Sequence, residues 1–194
     1  MQTLSCENLM SLEQYAVARL AFRAEALAHK RDRMVPIGPY ATLYFEDRLT
    51  MQYQVQEMLR IERVFESEGI EDELKAYNPL IPDGSNWKAT FMIEFGDIEE
   101  RRVALKRMVG IEDRAWVEVS GNGRIYAIAD EDLVRCTEDK TSSVHFLRFE
   151  LAPAMVAAVK QGAAIAMGIE HKAYAHTVGV VPERVRRSLA ADLA

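Results

Sequence analysis

The sequence predicts an α+β fold: an N-terminal helical pair followed by a mixed, mainly antiparallel sheet lobe with packed helices. Three observations carry this prediction. The first third is dense in Ala, Leu, Glu, Gln and Arg at helical spacing, Trp87 to Phe95 alternates apolar and polar residues, and an Asn122-Gly123 pair sits between two short apolar runs. The resulting order is two helices, strand, helix, hairpin, strand, helix, strand, helix. Residues 1–77 form the helical region and 78–194 the sheet lobe, within one compact domain.

Ser11 with Gln14 forms a capping box, so the first helix is expected from there to about Lys30. Arg19, Arg23, Lys30, Arg31 and Arg33 make a basic stripe, read as a solvated face or as a docking surface for an acidic partner or small anion. Pro36, Gly38 and Pro39 punctuate the chain before a short extended piece, Ala41 to Phe45. A second helix is expected from about Glu46 to Glu68, ended by Gly69, with Met51, Val55, Met58, Ile61 and Phe65 on one face. Leu49, Tyr53 and Val64 form a smaller apolar stripe, which implies cover by the first helix or by a second subunit.

Asp72 to Asn86 carries Pro79, Pro82 and Gly84 and reads as a long connecting loop. Trp87, Ala89, Phe91, Ile93 and Phe95 then define one face of a strand. Asp97 and Glu100 cap a helix that stops at Gly110, and Trp116–Val119 with Ile125–Ile128 form a hairpin turning at Asn122-Gly123. Asp130 to Lys140 is acidic and irregular or briefly helical, and Ser143 to Leu151 is a strand. Pro153 opens a helix expected to run to Gly168, Tyr174 to Val181 is the last strand, and Pro182 opens the C-terminal helix.

The 194 residues, 49% hydrophobic and 28% charged, are those of a folded globular protein. A net charge of -6 disfavours broad binding to nucleic acid or an anionic membrane. The start of the chain lacks a signal-peptide pattern and no run is long enough to span a bilayer, so a cytoplasmic location is expected. Cys6 and Cys136 belong to no CxxC or Cys/His cluster, which suggests a reducing compartment and no metal set or disulfide.

Signatures for dinucleotide, P-loop, acyl-transfer, zincin and EF-hand chemistry are absent from the sequence, and neither a catalytic residue nor a cofactor is assigned. Glu62 projects into the apolar face of the second helix, with Arg48 to one flank, and reads as an internal salt bridge or as an acid/base or metal-ligating carboxylate. Glu57 shares that helix. His145 lies on the inward face of its strand with Leu147 and Phe149, as a core histidine or a ligand. Asn78, Asp83 and Asn86, with Ser85, would line a pocket near Trp87 or serve only the turn, and the Glu138–Ser142 stretch reads as a solvated turn.

At FEDRLTMQYQVQEMLRIER, AYNPLIPDGSNWKATFMIEF, VGIEDRAWVEV, YAIADEDLVR and EDKTSSVHFLRFEL the chain closely resembles a bacterial family, domain of unknown function 3501. The likeness runs over nearly the whole length. It brings no activity or catalytic residues, but genes of this family tend to lie beside those for rubrerythrin-like and iron–sulfur oxidoreductase proteins. What the resemblance implies is a role beside a redox or peroxide-handling system.

The expectation is therefore a non-catalytic accessory or binding protein, a homodimer, with a redox protein as partner. The rival is an enzyme or metal-dependent protein whose pocket lies between the helical pair and the sheet and uses Glu62, Glu57, Arg48 or His145. Nucleic-acid binding through the basic stripe is the third and weakest reading.

Overall fold

The computed structural model describes residues 3–133, 135–137 and 139–194. Helix α1 (Leu12–Arg31) starts where the capping box places it: Ser11 Oγ accepts the Gln14 N–H, and the Gln14 side chain accepts the Ser11 N–H. Strands β1 (Met34–Ile37) and β2 (Ala41–Glu46) follow as a hairpin. β1 was not anticipated, because Pro36 reads as a breaker; β1 is an edge strand, where a missing N–H is tolerated. Gly38 turns the hairpin at φ +72°, and a Cβ there would lie 2.6 Å from the Tyr174 hydroxyl. That hydroxyl donates to the Ile37 carbonyl at 2.6 Å and accepts the Tyr40 and Ala41 N–H groups.

Helix α2 (Arg48–Glu62) is capped by Asp47 and is shorter than expected. Arg63 takes a left-handed conformation, φ 56°, and a separate helix α3 (Ser67–Tyr77) fills much of the presumed loop. The last turn of α2 is left uncovered as the chain turns away into α3, so Glu62 is exposed rather than set in a buried apolar face, and Ile61 and Phe65 are 61% and 74% exposed. Met51, Val55 and Leu59 pack with Leu74 and Ile81 instead. Of the smaller stripe, Tyr53 meets Phe22 of α1 edge-on, whereas Val64 lies past the end of α2 and packs with the Met51 and Val55 cluster. The basic stripe disperses, because Arg33 is buried and paired with Asp192 while Arg19 binds Glu57.

The remaining elements are β3 (Asn86–Ile93), α4 (Ile98–Arg107), β4 (Ala115–Val119), β5 (Arg124–Tyr126), β6 (Ile128–Ala129), β7 (Val144–Glu150), α5 (Pro153–Lys160), β8 (Ile165–His171), β9 (Tyr174–Val178) and α6 (Glu183–Ala190). They build two antiparallel sheets, with strand orders β1-β2-β3-β7-β6 and β5-β4-β8-β9. The sheet therefore begins inside residues 1–77: β2 pairs with β3 across the expected boundary.

Two further expectations are corrected. In the β4–β5 turn the positive φ belongs to Gly121, not to Asn122 or Gly123. The helix after Pro153 ends at Lys160, because Gly162 turns the chain at φ +94°, and Gly168 lies in β8, against Trp116. Leu43, Phe45, Trp87 and Phe91 of the first sheet share one core with Val117, Ile165 and Met167 of the second. Helices α5 and α6 close that core through Met155, Val159, Val185 and Leu189.

Candidate functional site

His145 supplies the first side chain of the site. Strand alternation turns it inward with Leu147 and Phe149; it is fully buried and stacks on Phe91 with ring centroids 6.1 Å apart. Its Nδ1 lies 2.6 Å from Asp130 Oδ2, and Asp130 is itself fixed by the Phe146 N–H on its other oxygen at 3.0 Å. The ring's Nε2 faces the Thr141 hydroxyl at 2.9 Å and the Ser142 carbonyl at 3.1 Å.

Glu112, on a 3-10 turn spanning Glu112–Arg114, and Cys136, on the β6–β7 connection, complete the group. Glu112 Oε2 accepts the Thr141 hydroxyl at 3.1 Å and lies 3.8 Å from His145 Nε2. The Cys136 thiol donates to Glu112 Oε1 at 2.6 Å and lies 3.2 Å from Thr141 Oγ1. One ligand atom each from Glu112, Cys136 and His145 falls within 4.8 Å of the others. Donors at about 2.0–2.3 Å around one tetrahedral zinc-type ion are spaced within such a limit.

The arrangement separates two chemistries that share a Cys/His/Asp set. A nucleophilic cysteine needs a cationic surrounding that draws its pKa down. Here burial, and then the hydrogen bond to Glu112, push the Cys136 thiol up. A thiol held next to a carboxylate is a poor attacking group, but a cation placed between the two removes the proton and satisfies both.

Of the candidate ligand-binding residues named from the sequence only His145 joins this group, and Cys136, expected to stand outside any Cys/His cluster, is corrected: the fold brings its thiol to His145 and Glu112. Glu57 is occupied on α2: it receives Arg19 Nε at 2.7 Å, the Tyr15 hydroxyl at 2.6 Å and Arg60 at 3.3 Å, and the Arg19 hydrogen bond leads in holding its carboxyl at about 2. Glu62 faces solvent, and Arg48 sits half-buried in the first turn of α2. Asn78 anchors the N-terminal segment by a paired bond with the Leu4 backbone, at 2.8 and 2.9 Å. Asp83, Ser85 and Asn86 bond to one another beside Glu150, so they make the turn. Glu138 lies outside the described residues, while Thr141 is 1% exposed rather than part of a solvated turn.

A cavity of 340 Å³ does lie between the helices and the first sheet, lined by Lys30, Glu46, Met51, Gln54 and Thr90 among others. Its buried Glu46 accepts the Thr90 hydroxyl at 2.7 Å. None of Arg48, Glu57, Glu62 or His145 lines it.

Glu112, Cys136, Asp130 and Thr141 were missed because the fold gathers them from three places: the turn before β4, the end of β6 and the β6–β7 connection. One signal was present. Cys136 precedes His145 by nine residues across a connection into an inward-facing strand position, which returns the two side chains to one end of β7.

The family model described as "Protein of unknown function (DUF3501)" matches residues 3–193. A crystal structure of a novel protein of unknown function from Burkholderia pseudomallei is 49% identical, covers 100% of both chains and superposes with a TM-score of 0.95. No curated protein matches the chain.

Proposed function

For a chain that belongs to the DUF3501 family, we propose a metal-dependent accessory protein that holds one divalent transition-metal ion through Glu112, Cys136 and His145. The observation that supports this most is the convergence of thiol, imidazole and carboxylate within 4.8 Å. Zinc and ferrous iron suit that mixed sulfur, nitrogen and oxygen set, whereas calcium and magnesium prefer oxygen alone. Asp130 accepts the Nδ1 proton of His145, which keeps Nε2 as the ligating nitrogen and orients the ring.

Three protein ligands leave a coordination position for water, a small anion or a donor from another protein. An open site of this kind fits an accessory role beside a redox system, as the gene neighbourhood of the family implies. Binding displaces the thiol proton and any proton on Nε2, so affinity falls with acidity.

Titration with Co2+ tests the assignment, because a cobalt–thiolate bond produces a near-ultraviolet charge-transfer band. The expected result is one ion per chain, with the band lost in Cys136→Ser and affinity reduced about 10–100-fold in Asp130→Asn. Cobalt bound without the band, or unchanged binding in Cys136→Ser and His145→Ala, removes the proposal.

A further inference from the structure

Helix α1 buries one side against α2 through Tyr15 and Ala26 and leaves the opposite side uncovered. Val17 is 89% exposed, Leu20 80% and Leu27 38%. Ala24 between them is exposed as well, as are Glu13 and Arg31 at the two ends of the same line. The positions 13, 17, 20, 24, 27 and 31 are separated alternately by four and three residues, the spacing of a coiled-coil seam. That stripe is not the amphipathic side a monomer needs, since α1 already has an inward face.

We propose that this seam pairs with the same seam of a second copy, antiparallel, about a two-fold axis between Leu20 and Ala24. The occupant is chosen by charge. A two-fold antiparallel pairing sets Val17 opposite Leu27 of the second copy, Leu20 opposite Ala24, and Glu13 opposite Arg31, so each acidic end meets a basic end twice in the dimer. A parallel arrangement would set Glu13 against Glu13 and Arg31 against Arg31. Gln14, Ala21 and Ala28 run along one side of the seam without charge, and the two alanines permit close approach there; Arg23 and Lys30 flank the other side, where the axis sets the two Arg23 side chains near each other and opposes part of the gain from the Glu13–Arg31 pairs. Glu13 and Arg31 within the line also disfavour lipid as the occupant, because both would have to leave water unpaired.

This inference is independent of the metal assignment, since α1 contributes nothing to that site. Sedimentation equilibrium of the full chain reads it directly. A species of twice the 22.0 kDa chain mass is expected. Leu20→Glu should give a monomer with an unchanged circular dichroism spectrum, because Leu20 is 80% exposed and leaves the fold intact. Glu13→Arg and Arg31→Glu should each weaken the dimer by about tenfold or more, and the double exchange should restore it. A monomeric wild-type chain overturns the proposal, as does a dimer that survives Leu20→Glu or a double exchange that fails to recover what the single changes lose.

Discussion

Two carboxylates set opposite pH dependences. Glu57 is held at about 2 by Arg19, Tyr15 and Arg60, below the value near 4.3 of an unfolded chain. Its stabilisation is complete above that unfolded value and is lost as pH falls towards 2. Asp192 behaves in reverse. Burial raises it to about 6 against the pull of Arg33, so its folded form favours the proton and its contribution declines as pH rises from about 4 through 6. Urea midpoints measured against pH should therefore lose part of their acid-side fall in Glu57→Gln and flatten between about pH 4 and 6 in Asp192→Asn. Above about pH 6 the second variant is also less stable, because buried Arg33 then loses one of its two counter-charges and keeps only Asp47, at 3.3 Å. Among single residues the sequence revealed His145 by its place in a β alternation, but it set Glu62 in a buried face, whereas the last turn of α2 is left uncovered and Glu62 is exposed. Glu112 carries no periodic signal, since its burial comes from a turn meeting the end of another strand.

Helices and strands were legible where one face alone is buried. The alternation of β3, the capping box of α1 and the Asp97 cap of α4 are examples, with Trp87, Ala89, Phe91 and Ile93 all buried as the period-two pattern requires. Legibility failed at boundaries set without glycine or proline. Arg63 ends α2 in the left-handed region, and the Val64 N–H reaches back to the Leu59 carbonyl at 2.9 Å, a closing bond usually associated with glycine. Arg63→Gly should raise stability by about 0.5–1 kcal/mol, seen as a higher denaturant midpoint at unchanged slope. Ile165 to Gly168 falls within the helix expected from Pro153, because a strand buried on both faces shows no alternation, and only Gly162 marks the change. Gly168 is then required by packing. A Cβ there would press into the Trp116 ring and lie 2.8 Å from the His176 carbonyl, so Gly168→Ala should cost about 1–3 kcal/mol in the same assay.

At the scale of the molecule, the sequence showed mainly antiparallel strands but not their division into two sheets. The chain changes sheet between β3 and β4, β5 and β6, and β7 and β8, and the shortest change is the second: β5 pairs with β4 in the second sheet, and two residues later β6 pairs with β7 in the first. No pattern of hydrophobicity marks that switch, since Arg124 to Ala129 is largely exposed apart from Ala127. The shared core of Phe91, Phe149, Val117 and Met167 makes one cooperative unit of both sheets. The two tryptophans lie one in each sheet, Trp87 in β3 and Trp116 in β4. Replacing either in turn should leave single-tryptophan proteins whose fluorescence transitions coincide with each other and with circular dichroism; separated midpoints would show independent sheets.

The exposed β4–β5 turn divides the chain into two parts that are interwoven in space. Cut there, the leading piece keeps β1, β2 and β3 of one sheet but only β4 of the other, while the trailing piece keeps β5, β8 and β9 together with β6 and β7. Each half is a template for the other. Polypeptides 1–121 and 122–194 should accordingly be unstructured when produced alone and regain their ladders on mixing, a built-in split-protein pair whose reassembly reports on proximity.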